Sequence, residues 1–83
     1  MSWFVYIIKA SDDSYYTGIT TDLKRRFKQH SNGSGAKYFK GRKPVGIVYS
    51  EAGHDRSSAS VREAAIKKLT RLEKERLVTH NIE

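Results

Sequence analysis

Residues 2–9 are apolar and aromatic almost throughout, with Trp3–Ile8 as the longest uninterrupted apolar run. Such a run is typical of a strand that is buried on both faces. The short polar side chains of Ser11–Ser14 favour a turn, because they hydrogen-bond to their own backbone. Tyr15–Thr20 is predicted to form a second strand. The first twenty residues therefore predict a β-hairpin.

A helix is predicted next, from Asp22 to about His30. Thr21 can cap its start, and the carboxylate of Asp22 suits the positive end of the helix dipole. The turn-forming residues SNGSG after the histidine are expected to end it. On a helical wheel with about 100° between residues, Leu23 and Phe27 define the apolar face.

Arg26 and His30 fall on that same face, four residues apart. A guanidinium directed at a sheet needs a carboxylate, a carbonyl or an anionic ligand as partner. The alternative is an arginine that lies along the edge of the core and extends to solvent. A lone histidine here is more often a cap or packing residue than a catalyst. The polar residues predicted to point away are Lys24, Arg25, Lys28 and Gln29.

The second half of the chain predicts one strand and two helical segments. Residues 36–44 are basic and aromatic without a clear period, and we expect a loop with at most one helical turn. Val45–Glu51 is predicted as the third strand and residues 58–70 as a helix. A last helix covers residues 71–80, either continuous with the previous one or bent from it. The order β-β-α-β-α-α predicts one α+β domain over residues 1–83, with a small three-stranded antiparallel sheet flanked by helices.

The distribution of charge points to a polyanionic partner. The chain has 83 residues, with 16 Lys and Arg against 9 Asp and Glu, and a formal net charge of +7. From Leu23 to Ser50 there are eight basic residues and no acidic one. A region of one sign attracts nucleic acid, which we favour over a mere solubility surface. The candidate contact residues are Lys24, Arg25, Lys28, Lys37, Lys40, Arg42 and Lys43.

Two features restrict the class of protein further. The absence of cysteine excludes disulfides and thiolate metal sites, and it fits a reducing cytoplasm. The longest apolar run is far shorter than the roughly 20 residues of a membrane helix. Its flanks also lack the basic start and cleavage site of a signal peptide. We therefore expect a soluble cytoplasmic protein without membrane contacts.

Two tyrosines are candidates for chemistry. On the second strand Tyr16, Gly18 and Thr20 share one face. A glycine inside a strand is tolerated where another backbone or a ligand comes close. Tyr6 lies on the face of Tyr16 if the hairpin register has even parity, which the sequence alone does not determine. Two tyrosines on one sheet face are more often a packing feature than a catalytic one.

Glu63 is the only acidic residue between Arg56 and Leu72, so it is the obvious ligand for a metal at this helix. The alternative is a capping box, because Ser60 to Glu63 reads SVRE. Arg62 falls closer to the centre of the apolar face than this glutamate does, and the pattern alone does not explain that position.

Together these segments resemble the GIY-YIG nuclease domain. The matching segments are FVY, which ends at Tyr6, YTG at Tyr16–Gly18, DLKRRFKQH, and the later helical glutamate. The chain most resembles the small stand-alone bacterial YhbQ-like group, and through HSNGSGAKYFKGRKP it is similar to Slx-type nucleases. It departs from the pattern in Phe4, in Thr17, and in Ile19 where many repair-type members have a basic residue. The family's asparagine after the glutamate has no counterpart at the expected spacing.

The resemblance implies metal-dependent hydrolysis of DNA phosphodiester bonds, with branched or damaged DNA as candidate substrates. It implies that Tyr16 is the general base, that Arg26 binds the phosphate, and that Tyr6 and His30 orient the reacting groups. Glu63 would bind one Mg²⁺ or Mn²⁺ that acts as a Lewis acid. The alternatives are a non-catalytic nucleic-acid-binding module with the same fold, and an interaction domain for an acidic protein.

Overall fold

The predicted α+β class and element order are confirmed in the computed structural model, which describes residues 2–80. Residues 1 and 81–83 of the predicted domain lie outside this range. The elements are β1 (Trp3–Ala10), β2 (Tyr15–Thr20), α1 (Leu23–Ser31), a 3₁₀ turn (Lys37–Phe39), β3 (Pro44–His54), α2 (Arg56–Lys67) and α3 (Arg71–His80). The strands form one antiparallel sheet in the order β2-β1-β3.

The central strand β1 is buried on both faces, as its apolar run predicts. On one face Val5 packs in a core cluster with Ile66 of α2. On the opposite face Tyr6 and Ile8 pack with Phe39 of the 3₁₀ turn and with apolar side chains of α1. Helical segments therefore cover the sheet on both sides, and Tyr6 belongs to the side covered by α1.

The hairpin register has even parity. Tyr6 pairs with Gly18 and Ile8 pairs with Tyr16, so the two tyrosines share a face of the sheet. The third strand begins one residue earlier than predicted and continues to His54 rather than ending at Glu51. Its pairing with β1 includes register shifts, which explains why a simple alternating pattern does not mark its full length.

The first helix is capped by Asp22 rather than by Thr21. The Asp22 side chain accepts a hydrogen bond from the backbone N–H of Arg25 at 3.1 Å, and the helix begins at Leu23. The predicted boundary is therefore one residue early at the start. At the other end the helix extends to Ser31, close to the predicted end at His30.

The capping box of α2 lies earlier than the SVRE pattern indicates. Ser58 N donates to Asp55 Oδ1 at 2.7 Å, and Asp55 N donates to Ser58 Oγ at 3.1 Å. The helix therefore begins at Arg56, before the predicted start at residue 58. Glu63 lies well inside the helix, so its predicted alternative role as a capping residue is wrong.

The last two helices are separate, which decides between the two predicted alternatives. A second capping box starts α3, where Glu73 N donates to Thr70 Oγ1 at 3.2 Å and Thr70 N donates to Glu73 Oε1 at 2.9 Å. The second helix ends at Lys67 rather than at Thr70. Within residues 2–80, no helix is long and apolar enough to cross a membrane.

Arg62 points inward because β3 provides it with a carboxylate. Its Nε donates to Glu51 Oε2 at 2.8 Å, and Glu51 Oε1 lies 2.9 Å from His54 Nε2. Burial acts to raise the pKa of Glu51, but hydrogen bonds from Tyr49, Arg62 and His54 outweigh it and hold the pKa below its ordinary value. This network joins α2 to the sheet.

Candidate active site

Tyr6 stands at the centre of the candidate site, and its phenol lies directly over Gly18. A Cβ atom at Gly18 would be 2.5 Å from the Tyr6 hydroxyl oxygen and 2.7 Å from its Cζ. Any side chain at this position would therefore displace the phenol. The close neighbour of this strand glycine is a side chain rather than the backbone or ligand that the sequence predicts.

His30 supports the Tyr6 hydroxyl from the last turn of α1. Its Nε2 lies 3.0 Å from the phenol oxygen, and each of the two residues is 1% exposed. The backbone N–H of Ala36 donates to His30 Nδ1 at 3.3 Å. Because an N–H group can only donate, Nδ1 must be unprotonated and Nε2 must bear the proton. The imidazole therefore donates to the Tyr6 oxygen, which leaves the Tyr6 O–H proton available to another acceptor.

Both members of this pair are uncharged at neutral pH. Burial, together with the positive charge of Arg26, lowers the pKa of His30 to about 4. Burial also raises the pKa of Tyr6 to about 12; the electrostatic interaction with Tyr16 and the negative charge of Glu63 add to this increase, while Arg26 opposes it. Tyr6 is therefore a hydrogen-bond donor at neutral pH and is unsuited to act as a base.

Tyr16 is the more exposed of the two tyrosines and lies in a group of aromatic rings. Its ring centroid is 6.3 Å from that of Tyr6 and 5.2 Å from that of His30, which it meets edge-on. The rings of Tyr38 and Phe39 lie at 5.2 Å on its other sides. These aromatic neighbours hold the ring of Tyr16 in place.

Arg26 is half-buried beside this pair, and its charge acts on the pKa of both Tyr6 and His30. Its Nη1 donates to Gln29 Oε1 at 3.0 Å. Gln29 was predicted to point away from the sheet, but it is half-buried and holds the guanidinium. The structure thus brings Arg26 next to both buried groups, as the helical wheel predicts.

Glu63 lies on α2, which packs against β1 and β2. Its negative charge makes the smallest of the contributions that raise the pKa of Tyr6. The side chain is 24% exposed, and Lys67 Nζ lies 3.4 Å from its Oε2. Because the Glu63 carboxylate is partly exposed, a cation from solvent can reach it while α2 stays folded.

The donor set fits a hydrated divalent cation. No cluster of three or more His, Cys, Asp or Glu side chains suited to a metal occurs among residues 2–80. Zinc sites usually need three or four such ligands. Mg²⁺ usually keeps several waters and is bound by one or two carboxylates together with substrate phosphates, which a lone Glu63 satisfies.

Most of the predicted nucleic-acid contact residues are exposed, but Arg42 is not. Its guanidinium lies 4.2 Å from the ring centroid of Tyr38, and its Nε is 3.1 Å from Asp12 Oδ2. An acid from the β1–β2 turn thus partly neutralises a segment that has no acidic residue of its own. The predicted residues that are exposed are Lys24, Arg25, Lys28, Lys37, Lys40 and Lys43.

Three residues of the site were missed in the sequence. Besides Gln29, these are Gly35, against which the His30 imidazole packs with no room for a Cβ, and Phe39, whose ring centroid is 4.7 Å from that of His30. The available signals were a second glycine after the helix end and a pair of adjacent aromatic residues in a polar loop. Both were interpreted as features of a loop.

The two tyrosine motifs are partners in the sheet, because Tyr6 and Gly18 end their motifs and lie opposite each other. The sequence model of the GIY-YIG catalytic domain matches residues 2–76. The chain belongs to the GIY-YIG family. This membership places it in a superfamily of nucleases, and the family as a whole implies nucleic-acid binding and a divalent metal.

This GIY-YIG chain is similar to bacterial proteins, and two of them have solved structures with the same fold. The UPF0213 protein YhbQ of Escherichia coli K12 is 47% identical over 76 residues, which cover 92% of this chain and 76% of the relative. A solution NMR structure of a UPF0213 protein from Bacillus halodurans is 44% identical, with a TM-score of 0.60, over 95% of this chain and 84% of that one. A solution NMR structure of an E. faecalis protein is 37% identical, with a TM-score of 0.63, over 100% and 90%.

Proposed function

We propose that this protein is a metal-dependent endonuclease that hydrolyses DNA phosphodiester bonds. The observation that supports this most is the convergence of Arg26, Tyr16 and the neutral Tyr6–His30 pair on one side of the sheet. Electrostatic binding of DNA needs only exposed cations. A half-buried arginine beside a phenol whose hydroxyl is oriented by a neutral histidine suits a reaction at phosphorus.

Arg26 binds the scissile phosphate and stabilises the negative charge that grows in the transition state. A planar guanidinium can make two parallel hydrogen bonds to phosphate oxygens, whereas a lysine offers a point charge. Gln29 restrains the guanidinium through Nη1 before the substrate arrives. This preorganisation is favourable because less side-chain freedom is lost when the phosphate binds.

Tyr16 accepts the proton of the attacking water when it is in its phenolate form, which the positive charge of Arg26 favours. Tyr6 orients that water or a phosphate oxygen by hydrogen bonding. The pKa of about 12 keeps Tyr6 protonated, so the general-base role goes to the other tyrosine. His30 acts through Tyr6 as a positioning residue, because its Nε2–H holds the phenol oxygen and directs the remaining proton outward.

Glu63 would hold the divalent cation, Mg²⁺ or Mn²⁺, which supplies Lewis-acid stabilisation of the phosphate and of the departing oxygen. The carboxylate is paired with Lys67 in the structure. A half-exposed pair of this kind contributes only about 0–1 kcal/mol, so it gives little resistance to a divalent ion.

Cleavage assays test this function directly. The purified protein is incubated with duplex, flapped, branched and single-stranded DNA and with Mg²⁺ or Mn²⁺, beside a Glu63→Gln variant. We expect cleavage of at least one branched substrate by the unmodified protein, none after EDTA treatment, and none by the variant. Binding without cleavage on every substrate and with either metal would support the non-catalytic nucleic-acid-binding module instead.

A further inference from the structure

A cleft of about 320 Å³ opens beside Arg26 at one end of the sheet. Its volume is at the lower end of the roughly 300–1,000 Å³ that small-molecule sites in proteins occupy. The cleft lies where β1 begins, β2 ends and α1 starts. The residues of its wall that matter here are Trp3, Thr20, Thr21, Asp22, Arg25 and Arg26.

The walls of this cleft combine a flat aromatic surface with polar groups. Trp3 is the only tryptophan of the chain and is half-buried. Part of it packs against the core cluster that contains Val5, and the guanidinium of Arg56 lies over its ring, 5.9 Å from the centroid. Asp22 uses Oδ1 to cap α1, and Oδ2 is a further acceptor at the cleft. The hydroxyl of Thr21 can donate or accept.

We infer that this cleft binds a nucleobase of the nucleotide adjacent to the phosphate that Arg26 holds. The inference rests on the proposed function, because it takes that phosphate as its reference point. Arg26 belongs both to the cleft and to the group around Tyr6, so a nucleotide bound there can place its phosphate and its base in adjacent sites. The base stacks on the Trp3 indole, and its polar edge meets Asp22 and Thr21.

The cleft accepts only a base that has left the double helix. A stacked and paired base presents no free face to an indole, so single-stranded or flipped nucleotides are required. The carboxylate of Asp22 accepts hydrogen bonds from exocyclic amino groups, as aspartate does with N4 of cytosine. Thymine has no amino group. We therefore expect the cleft to favour cytosine over thymine.

The single indole N–H of Trp3 provides an isolated NMR signal for the test. The ¹⁵N-labelled protein is titrated, in EDTA so that nothing is cleaved, with a single-stranded tetranucleotide of cytidines. The matched probes carry one abasic position each and keep all phosphates. We expect the Trp3 signal to shift with the intact probe and to lose that shift at one abasic position, while the Lys24 and Lys28 amides move with every probe.

Two results would overturn the inference and leave the nuclease proposal intact. The first is an equal Trp3 shift with the intact and abasic probes. The second is the absence of a Trp3 shift while the Lys24 and Lys28 amides move. If no amide moves with any probe, the inference fails, and the cleavage assays decide the nuclease proposal separately. The inference is also overturned if a tetranucleotide of thymidines binds as tightly as the cytidine probe, because we expect cytidine to bind about fivefold tighter or more.

Two variants assign the effect to the cleft. Asp22→Asn keeps an N-cap, so the fold should hold while the preference for cytosine disappears. Trp3→Leu keeps an apolar side chain without a stacking surface and should weaken binding of the intact probe about fivefold or more. Asp12→Asn, which removes an acid outside the cleft, is the matched control and should retain the preference. If Trp3→Leu fails to fold, the abasic probes and Asp22→Asn still decide the outcome. A preference for cytosine that survives Asp22→Asn would exclude the Asp22 carboxylate as the acceptor.

Discussion

The Arg26 guanidinium donates a hydrogen bond from Nη1 to Gln29 Oε1, three residues further along α1, at 3.0 Å. The bond links the one basic residue of this helix that approaches the sheet to a residue of the same helix. It restrains the planar fork on one side and leaves further N–H groups for a ligand. Arg26 is thereby distinguished from the exposed cations Lys24, Arg25 and Lys28, which have no such restraint in the described residues.

Arg26→Lys should therefore impair cleavage far more than binding. Lysine keeps the charge but loses the bidentate geometry, and we expect a loss of about 10²–10³ in the single-turnover rate on a branched DNA. Gln29→Ala should show a smaller loss in the same direction. Arg76→Ala, on the exposed surface of α3 and outside the predicted contact residues, is the control and should cleave normally. A normal rate for Arg26→Lys would show that a point charge is sufficient.

Tyr16→Phe removes one hydroxyl and nothing else. As general base, Tyr16 should contribute about 10²–10⁴ to the single-turnover rate, whereas a packing tyrosine would tolerate the change. Because Tyr16 and Arg26 serve the same step, the double variant should be little slower than the slower single variant. DNA affinity, measured in EDTA, should change little in Tyr16→Phe, in Arg26→Lys and in the double variant. Full activity of Tyr16→Phe would remove this residue from the mechanism.

Glu63→Gln should abolish the response to Mg²⁺ with little change in melting temperature. The amide has the size of the carboxylate but lacks its charge, and Glu63 does not cap α2. The measurement is the Mg²⁺-induced shift of NMR signals around Tyr16 and residue 63. Asp55→Ala provides the contrast, because loss of the true N-cap should lower the melting temperature and leave the metal response intact. The opposite pattern would mean that Glu63 is structural.

Binding of DNA should depend strongly on salt. If about four phosphates are neutralised, the logarithm of the binding constant should fall against the logarithm of the salt concentration with a slope of roughly −3 to −4. Reversing the charges of Lys24, Arg25 and Lys28 should reduce this slope without unfolding. Arg42→Ala should instead reduce stability as well, because this residue packs on Tyr38 and pairs with Asp12. Affinity that is flat in salt would contradict the predicted surface.

The buried histidine should make the fold less stable in mild acid. In the unfolded chain a histidine has a pKa of about 6.5, whereas burial lowers the pKa of His30 to about 4. As pH falls through this window, the unfolded chain takes up a proton that the folded chain does not, so stability is lost. We expect a loss of about 2 kcal/mol between pH 7.5 and 5 in urea denaturation. His30→Gln should lose this dependence of stability on pH, while a variant of the exposed His80, His80→Gln, should keep it. If stability falls equally with pH in both variants, His30 is not its source.

Much of the fold could be predicted because its signals are local. The apolar run of β1, the turn at Ser11–Ser14 and the wheel of α1 each depend on neighbouring residues. The capping residues were harder to assign, because the sequence contains several eligible side chains for each helix. For α2 the SVRE pattern was one alternative, whereas Asp55 with Ser58 caps that helix and Thr70 with Glu73 caps the next.

The residue types of the candidate site could be predicted from the sequence, but the contacts that hold these residues in place could not. The helical wheel indicated that Arg26 and His30 face the sheet. It could not indicate that Ala36 N–H selects the imidazole tautomer, because that contact depends on how a loop folds back. The ion pair of Arg42 with Asp12 likewise joins segments that are distant in sequence. Long-range contacts of this kind are decided by the fold as a whole.

The position of β1 between β2 and β3 has a consequence for the order of folding. Tyr6, Tyr16, Arg26 and His30 all lie in the first part of the chain, whereas Glu63, the proposed metal ligand, lies on α2 and follows β3 in the chain. Pairing β3 with β1 closes a long loop, which costs entropy before its contacts compensate, so we expect it to follow the hairpin and α1. A chain that has not finished folding could then bind the phosphate backbone but would lack the proposed metal ligand Glu63. Such a chain would be unable to cleave DNA prematurely.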